Sequence, residues 1–411
     1  MDFDMLGLLP RLVEKLAEQG LTEPTPIQRQ AIPHAMDGRD VMGLAQTGTG
    51  KTAAFGLPMV NALLRAGTKP APKTVRGLIL APTRELAKQI ADHLRAYTEG
   101  SHLKVNLVVG GAGIGAQISR LERGTDLLVA TPGRLIDLLD RRALSLSETH
   151  YLVLDEADQM LDLGFIHALR KIAPLLAEDR QTMLFSATMP KQMAELSRAY
   201  LRDPVRVEVA PPGKVADKIN QSLHFVAQAG KSRLLIELLG KHSGEQALVF
   251  SRTKHGAERL KKQLEAAEIN ASSIHGNKSQ NQRERAIRAF RAGEIDVMVA
   301  TDVAARGIDI AGIRHVYNFD LPNVAENYVH RIGRTARAGM GGHAIAFCSP
   351  AEMSELRAVE KVLKRAIPVA GGTPWQGDVA GNDAAKPSGK VRRAGVQNKR
   401  PRNRRRRRKA A

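Results

Sequence analysis

The stretch AQTGTGKT, from Ala45 to Thr52, comes directly after the apolar run VMGL and governs the interpretation of the rest of the chain. Its glycines, Gly48 and Gly50, allow a tight turn whose backbone N–H groups point at a phosphate, and the N-terminus of a following helix adds positive dipole character there. In such a loop Lys51 reaches the outer phosphates, and the Thr52 hydroxyl is a ligand for Mg²⁺. The stretch therefore predicts a strand, a phosphate-binding loop and a helix. The alternative is a glycine-rich helix cap that arose by chance.

Composition indicates a polyanionic partner. The 411 residues are 43% hydrophobic, which suits two or three domains with sizeable cores, and the formal net charge is +20. Of the 62 Lys and Arg residues, 13 lie between 386 and 411, where there is no Asp or Glu. The segment 371–411 is rich in Gly, Pro, Lys and Arg and cannot bury enough apolar surface to fold. We therefore expect a disordered basic tail.

The cysteine content and the opening residues bear on localisation. The single cysteine, Cys348, excludes an intrachain disulfide and favours a reducing compartment such as the cytoplasm. The opening residues MDFDMLGLLP are acidic and lack the order of charged and apolar residues that is typical of a signal peptide. Because no run of about 18 apolar residues occurs, we expect no membrane-spanning segment.

Continuous apolar runs alternate with helical stretches after the phosphate loop. Since polar residues do not interrupt these runs, they predict a parallel sheet that is buried on both faces, with helices between the strands. Ligands bind at the carboxyl ends of the strands in such sheets, and each run here ends in small or polar residues. The runs are GLILAPT (77–83), VNLVVGG (105–111), DLLVATP (126–132), YLVLDEA (151–157) and TMLFSAT (182–188).

The sequence DEAD (155–158) is the most informative of these strand ends. Phosphoryl transfer needs Mg²⁺ held by an acid and an attacking water oriented by a second group. Asp155 fits the first role and Glu156 the second, because both come directly after a buried strand. The alternative is that the acids only cap the next helix, which accounts well for Asp158 alone.

A second series of strand-like runs follows a linker that contains Pro211, Pro212 and Gly213. This series has no phosphate loop, but its segment YVHRIGRTARAG (328–339) carries arginines at a spacing of three, which favours one helix face. We expect arginines of this segment to complete the nucleotide site of the first domain; a solvated basic face is the alternative. The runs are QALVFSRT (246–253), SSIHGN (272–277), DVMVATD (296–302), HVYNFDL (315–321) and HAIAFCS (343–349).

Several other residues have two readings. Gln28, in LTEPTPIQ, has an amide that suits an adenine edge, although a surface glutamine is the default. Trp375 is either an anchor for the tail or an incidental exposed ring. Three histidines are read as non-ligands, because no cluster has the spacing of metal ligands: His275, His330 and His343.

Taken together, the motifs make the chain resemble the DEAD-box RNA helicases, and within them the bacterial RhlE-type enzymes. The resemblance covers about residues 1–370 and rests on these strings: FDMLGL, GLTEPTPIQ, AQTGTGKT, PTRELA, GG, TPGR, DEAD, SAT, VFSRT, Gln280 to Arg283, VATDVAARGIDI and HRIGRTAR. The narrower likeness rests on HGNKSQ (275–280) and KRAIP (364–368). Two departures are Leu21, where the family usually has an aromatic residue, and Ala336, where glycine is common.

The resemblance implies an α/β fold with two tandem RecA-like domains that bind ATP and RNA across the cleft between them. The expected organisation is a lead-in with the glutamine motif (1–30), a first domain (31–209), a linker (210–218), a second domain (219–370) and the basic tail (371–411). The implied nucleotide ligands are Phe3 stacking on adenine, Gln28, the loop residues Ala45, Gln46, Thr47, Gly48, Thr49, Gly50, Lys51 and Thr52, and Asp309 near the ribose.

The resemblance also assigns roles in catalysis and RNA binding. Catalysis is implied for Lys51, Asp155, Glu156, Arg334 and Arg337, with Mg²⁺ on Thr52 and Asp155. Asp158, Ser186 and Thr188 are implied to couple the nucleotide site to RNA. The residues implied to meet the RNA backbone are Pro82, Thr83, Arg84, Gly111, Thr131, Arg134, Arg252, Gly276, Arg283 and Thr301.

The expected activity is RNA-stimulated ATP hydrolysis that drives local, sequence-independent unwinding of short RNA duplexes. The alternative is an ATP-gated RNA clamp or remodelling factor with little true unwinding. A DNA helicase is a more distant third, because recognition of the 2′-OH cannot be read from residue types. The expected partner is RNA, with ribosomal and messenger RNA structures among the candidates.

Overall fold

A computed structural model of the chain describes residues 2–46, 48–189, 191–209, 219–305, 313–336 and 341–375. Several predicted features lie outside the described residues: Thr47, the linker 210–218, Asp309, Arg337 and the basic tail beyond Trp375. Among the helices that are described, none has the length and apolar character needed to cross a membrane.

The first domain is built on a parallel sheet of seven strands. The strands are β1 (Val41–Leu44), β2 (Val75–Leu80), β3 (Val105–Val108), β4 (Thr125–Ala130), β5 (Tyr151–Leu154), β6 (Gln181–Ser186) and β7 (Val205–Glu208). Their order in the sheet is β3-β4-β2-β5-β6-β1-β7. The helices are α1 (Pro10–Glu18), α2 (Pro26–Met36), α3 (Lys51–Ala66), α4 (Arg84–Thr98), α5 (Ile114–Leu121), α6 (Pro132–Asp140), α7 (Ala157–Asp162), α8 (Ile166–Ile172) and α9 (Lys191–Tyr200).

Helices cover both faces of this sheet, which explains the unbroken apolar runs. Side chains alternate between the two faces of a strand, so Val153 packs in one core together with Phe185. Its neighbours Leu152 and Leu154 pack with Leu184 in the other core. Every position along a central strand is therefore buried, and polar residues occur only where a strand ends.

The second domain repeats this architecture. Its strands are β8 (Ile219–Phe225), β9 (Ala247–Phe250), β10 (Ala271–Ile274), β11 (Val297–Ala300), β12 (His315–Asn318), β13 (Gly342–Cys348) and β14 (Val369–Gly371). Their order is β10-β11-β9-β12-β13-β8-β14, again with parallel pairing, so the two sheets have the same order when each is counted from its own first strand. The helices are α10 (Lys231–Lys241), α11 (Lys254–Ala266), α12 (Gln280–Arg291), α13 (Asp302–Ala305), α14 (Glu326–Ile332) and α15 (Met353–Leu363).

The predicted α/β fold with two RecA-like parallel sheets is therefore confirmed. All ten apolar runs quoted above contain strands, but these strands end earlier than the runs, because the small and polar residues at the carboxyl ends form loops. The sequence interpretation did not include β7, β8 and β14. The first two alternate between buried and exposed residues, and β14 is only three residues long.

The start of the predicted tail is attached to the second domain. Gly371 ends β14, one residue inside the segment 371–411. The indole N–H of Trp375 donates a hydrogen bond to the carbonyl oxygen of Cys348, with 3.1 Å between the two atoms. Of the two readings of Trp375, the structure favours the anchor.

Candidate functional site

The phosphate-binding stretch forms the loop between β1 and α3. Gly50 precedes α3 with φ of 91°, a left-handed conformation that glycine adopts without strain. A side chain at this position would also collide with the amide of Gln28. The hydroxyl of Thr49 donates to the carbonyl of Gln46 over 2.8 Å, which closes the turn. The loop therefore presents the N-terminus of a 16-residue helix to any anion bound there.

The side chain of Gln28 connects this loop to the start of α2. Its Oε1 accepts a hydrogen bond from Thr25 N at 2.9 Å, which completes a capping box at the start of α2. Its Nε2 donates to the carbonyl oxygen of Gly50 at 3.0 Å. The side chain also lines a cavity beside the loop, but the oxygen and the nitrogen of its amide both already form hydrogen bonds within the protein.

Lys51 and Asp155 form a buried pair between the loop and the end of β5. The ammonium lies 3.7 Å from Asp155 Oδ1, which is longer than a hydrogen bond, and both side chains are at most 5% exposed. Within the described chain, Lys51 Nζ has no hydrogen-bond partner. Burial raises the pKa of Asp155, and the nearby Lys51 opposes that rise. A buried ammonium without a hydrogen bond is well suited to a phosphate oxygen.

Glu156 occupies the turn between β5 and α7. Its backbone is left-handed, with φ of 52°, a conformation that costs about 1–3 kcal/mol for a residue other than glycine. Burial is the main cause that raises the pKa of this carboxyl group to about 7; Lys51 opposes the rise and Asp155 adds to it. Its Oε2 is buried and lacks a hydrogen-bond partner among the described residues. The strained turn therefore holds a proton-accepting group of near-neutral pKa at the cavity.

Asp158 connects the DEAD turn to the end of β6. Its Oδ2 accepts hydrogen bonds from the backbone N–H groups of Ala187 and Thr188 and from the Thr188 hydroxyl, over 2.9–3.1 Å. Ser186 does not reach Asp158; its hydroxyl donates to the carbonyl of Thr188 at 2.7 Å. The contact to Ala187 comes from the backbone and could not be read from residue type.

The second domain contributes to the same cavity. The cavity has a volume of about 460 Å³, and its lining includes Lys51, Thr52, Glu156 and, from the second domain, Arg334. Arg334 is 4% exposed. The phosphate loop, the DEAD acids and an arginine of the other domain therefore share one space.

Phe3, which is expected to stack on adenine, does not line the cavity in this structure, and the stacking stays a prediction. Phe3 lies in a short 3₁₀ helix, is 2% exposed and packs in the core of the first domain. It is not part of the cavity lining, whereas Leu21 and Tyr97 are. The apolar pattern around Phe3 fits the core equally well, so sequence spacing alone could not separate the two roles.

The arginines of the segment 328–339 do not share one helix face. α14 ends at Ile332, so Arg334 lies in the turn beyond the helix. Arg331 instead points into its own domain, where it forms two contacts of 2.5 and 2.7 Å with the carboxylate of Asp302. It also lies 4.9 Å from the ring centre of Phe250. Arg331 is therefore a buried structural arginine, and only Arg334 of this pair reaches the cavity.

The residues predicted to contact RNA in the first domain follow three adjacent strands, β3, β4 and β2, whereas the phosphate loop, the DEAD acids and the segment bound to Asp158 lie at the ends of β1, β5 and β6. The two sets thus occupy separate halves of one sheet edge. Gly111 has φ of 76°, and a side chain there would collide with the guanidinium of Arg84. Thr83 caps α4, and Arg134 donates to the carbonyl of Ala112 over 3.1 Å.

The second domain places its predicted RNA residues in the same way, after the adjacent strands β10, β11 and β9. Gly276 is exposed after β10, and Thr301 lies just before α13. Arg252 is held by Glu352, whose Oε1 accepts from Arg252 Nη2 at 3.0 Å. The other oxygen of Glu352 accepts from the fully buried Lys231 at 2.5 Å. Sequence reasoning found neither Glu352 nor Lys231, because both belong to the domain interior.

Polar contacts join the two domains on this side. Arg283 Nη2 lies 3.0 Å from Glu85 Oε2, and the two side chains are 14% and 5% exposed. Arg84 Nη1 donates to Gln280 Oε1 at 3.4 Å. Burial and the nearby positive charge of Arg283 lower the pKa of Arg84. Two guanidinium groups from different domains thus approach each other, an arrangement that attracts an anion.

The arrangement identifies the class of protein. A phosphate loop on one parallel α/β domain, completed by an arginine from a second domain of the same topology, defines a two-domain P-loop motor of the helicase type. The DEAD/DEAH box helicase family model matches residues 25–196, and the helicase conserved C-terminal domain model matches residues 230–339. The chain belongs to the DEAD/DEAH box helicase family.

Individual relatives agree with this assignment. The chain is 42% identical over 379 residues to the ATP-dependent RNA helicase CshA of Listeria monocytogenes, covering 92% of this chain and 72% of that protein. It is similar to the structure of S. cerevisiae Dbp5 bound to RNA and ADP BeF3, with a TM-score of 0.80, 30% identity and coverage of 90% and 95% of the two chains. It also matches Mss116p bound to ssRNA and AMP-PNP, with a TM-score of 0.82, 27% identity and coverage of 91% and 79%. The narrower RhlE-type assignment stays a prediction.

Proposed function

We propose that this protein is an ATP-dependent RNA helicase that binds the RNA backbone without reading sequence and separates short duplexes locally. The observation that carries the proposal is the shared cavity, in which Arg334 of the second domain joins Lys51 and Glu156 of the first. A nucleotide bound there contacts both domains and so favours their closed arrangement. Closure also brings the predicted RNA residues of the two sheet edges together, which links ATP binding to RNA binding.

The buried polar atoms of the cavity fit ATP and Mg²⁺. Lys51 Nζ and Glu156 Oε2 are buried, and neither has a hydrogen-bond partner among the described residues. Thr52 and Asp155 offer the oxygen ligands that Mg²⁺ prefers, and the ion, when bound, neutralises charge that develops on the phosphates. Lys51 then holds the outer phosphates, Glu156 orients the attacking water and accepts its proton, and Arg334 stabilises charge on the γ-phosphate.

Asp158 gives this chemistry a connection to RNA binding. The hydrogen bonds from Asp158 to Ala187 and Thr188 tie the turn that carries Glu156 to the loop after β6. A movement of either segment therefore has to move the other or break these bonds. We infer that this connection transmits the state of the bound nucleotide to the RNA-binding side.

We also propose the cytoplasm as the site of action, because the single cysteine, Cys348, is buried and free, which fits a reducing compartment.

A strand-displacement assay tests the proposal. A short RNA duplex with a single-stranded extension is mixed with the protein, with and without ATP, and both strand separation and phosphate release are measured. We expect separation to require ATP, and hydrolysis to be weak until RNA is added. Glu156→Gln serves as the matched control: it keeps ATP and RNA binding but nearly abolishes hydrolysis, whereas Lys51→Ala loses nucleotide affinity.

The same assay separates the alternatives. ATP-dependent RNA retention without strand separation would favour the clamp, and equal activity on a DNA duplex would favour a DNA helicase. Equal ATP turnover with and without RNA would reject a coupled enzyme of either kind.

A further inference from the structure

Three histidines and a glutamate converge at the amino-terminal edge of the second sheet, opposite to the edge that carries the predicted RNA residues. His315 is the first residue of β12 and pairs in register with His343 of β13. His242 follows the end of α10, and Glu245 lies two residues before β9. Three segments therefore meet at this point: the connection between α10 and β9 and the starts of β12 and β13.

The ligand atoms are close enough to share one ion. One atom from each of His242, Glu245 and His315 lies within 4.8 Å of the other two. Two imidazoles and one carboxylate form a common ligand set for Zn²⁺, with an open fourth position for water. In a tetrahedral site with zinc–ligand distances of about 2.0–2.1 Å, such atoms are about 3.4 Å apart. Small shifts are therefore sufficient: His242 has to approach, and the hydrogen bond between His315 and Glu245 has to open to admit the ion.

Buried polar atoms without partners lie at the same place. His315 is 1% exposed; its Nε2 contacts Glu245 Oε2, but its Nδ1 has no hydrogen-bond partner in the described part of the chain. Tyr317 lies two residues further along the same face of β12, and its buried hydroxyl also has no partner there. Buried polar atoms of this kind destabilise the fold when they stay unsatisfied, so a ligand that supplies an interaction here would be stabilising.

The surroundings allow an ion to enter and be held. Glu245 is 47% exposed, so the site opens to solvent. The ring of His242 stacks on that of His315 with 4.0 Å between centroids, and because His242 is only partly buried it can turn a nitrogen towards an ion. His343 stacks on His315 at 5.3 Å and fixes the position of that ring.

We propose that His242, Glu245 and His315 form a binding site for Zn²⁺ or a similar divalent transition metal in the second domain. The ion ties the end of α10, the turn before β9 and the start of β12 together, and it lies apart from the nucleotide cavity. Sequence spacing could not reveal this site, because two ligands lie three residues apart and the third is brought to them only by the pairing of β9 with β12.

Zinc titration of untagged, chelator-treated full-length protein without nucleotide tests the proposal. The affinity is measured by competition with a chromophoric chelator for the parent and for His315→Gln, Glu245→Gln and His255→Gln, an exposed histidine of the same domain as matched control. We expect one Zn²⁺ per chain in the parent and the control. Each ligand variant should bind at least about tenfold more weakly, a loss already seen when a residue that merely supports a metal ligand is removed.

Cobalt absorption of the parent and of Glu245→Gln provides a second test of the metal site. Co²⁺ in place of zinc should give the visible absorption of a four-coordinate site, and this absorption should disappear in Glu245→Gln. That variant changes a half-exposed side chain, so it decides the question even where His315→Gln does not fold. Equal zinc affinity in all four proteins, or no binding by the parent, would overturn the proposal and leave a simple hydrogen bond between His315 and Glu245.

Discussion

Gln28 Nε2 donates a hydrogen bond of 3.0 Å to the carbonyl oxygen of Gly50, the residue that precedes Lys51 in the phosphate loop. The same side chain accepts a hydrogen bond from Thr25 N at the start of α2. Gln28 therefore connects the start of α2 to the phosphate loop. This structural role is separate from the contact with adenine that we expect from the sequence.

We expect Gln28→Glu to raise the KM for ATP and for GTP together. A carboxylate still accepts from Thr25 N but cannot donate to Gly50, and the loss of one hydrogen bond worth about 0.5–1.5 kcal/mol corresponds to about a 2–12-fold change. Gln28→Ala should in addition lower the melting temperature, because it also removes the capping box. If only the KM for ATP rises, Gln28 acts as a reader of adenine and not as a support for the loop.

Glu156 should make the nucleotide-free protein less stable as the pH rises from about 4.5 to about 7. Its folded-state pKa lies above the ordinary value, so the folded protein binds the proton more tightly; this contribution is complete below pH 4.5 and is lost as the pH passes the folded-state value of about 7. Melting curves across this range check the effect, with Glu156→Gln as control. A pH dependence that is identical in the two proteins would contradict the assignment.

Arg334 and Arg331 should respond differently to substitution. Arg334→Ala is expected to reduce ATP turnover roughly 10³–10⁵-fold, the range found for arginine fingers, while ATP binding to the first domain stays unchanged. Arg331→Ala should instead lower the melting temperature, because it leaves Asp302 without its partner in a largely buried site. Turnover and thermal stability of both variants are the measurements. A loss of turnover below about tenfold in Arg334→Ala would mean that this arginine only braces its turn.

The Arg283–Glu85 ion pair should couple the two domains energetically. A double-mutant cycle of Arg283→Ala and Glu85→Ala, read from the RNA concentration that gives half-maximal ATPase stimulation, should show an interaction of about 0.5–3 kcal/mol. Arg285 is the matched control, since it is exposed on the same helix, α12. Its combination with Glu85→Ala should be additive. Additive effects for Arg283 as well would show that the pair does not contribute to closure.

Truncation after Trp375 should weaken RNA binding without changing the maximal ATPase rate. The cut keeps β14 and the hydrogen bond from Trp375 to Cys348 but removes the 13 basic residues of the segment 386–411. Neutralising 6–10 phosphates makes affinity fall roughly 10³–10⁵-fold between 50 and 200 mM salt, so the truncated protein should need more RNA and show a flatter salt dependence. Overlapping titrations with equal slopes would favour a solubilising or protein-binding tail instead.

The parts of the site that sequence could predict are those in which residue type and chain order determine position. The loop before Lys51 and the acids after β5 lie where the pattern placed them, because a parallel sheet brings the carboxyl ends of its strands to one edge. The sequence could not decide between a core position and an adenine contact for Phe3, since an aromatic ring suits both equally well; in the structure Phe3 packs in the core. The one-face interpretation of Arg331 and Arg334 failed because the helix ends between them, at Ile332.

Contacts between distant segments lay beyond the sequence. Glu85 is adjacent to a predicted RNA arginine, but its partner Arg283 lies on another domain. Glu352 holds Arg252 from a position 100 residues away. No pattern in neighbouring residues indicates either of these ion pairs, because each depends on how distant segments are arranged in space.

Because the two sheets share one strand order, each position in the first domain has a counterpart in the second. Lys231 begins α10 after the first strand of its sheet, as Lys51 begins α3 after β1. Asp320 follows β12, the counterpart of β5, and lies 3.5 Å from Lys231. In the second domain, however, Glu352 neutralises the ammonium group of Lys231. The second domain therefore supplies a carboxylate of its own to the lysine that corresponds to Lys51, so Lys231 is already neutralised within the protein and, unlike Lys51, is not left for a phosphate.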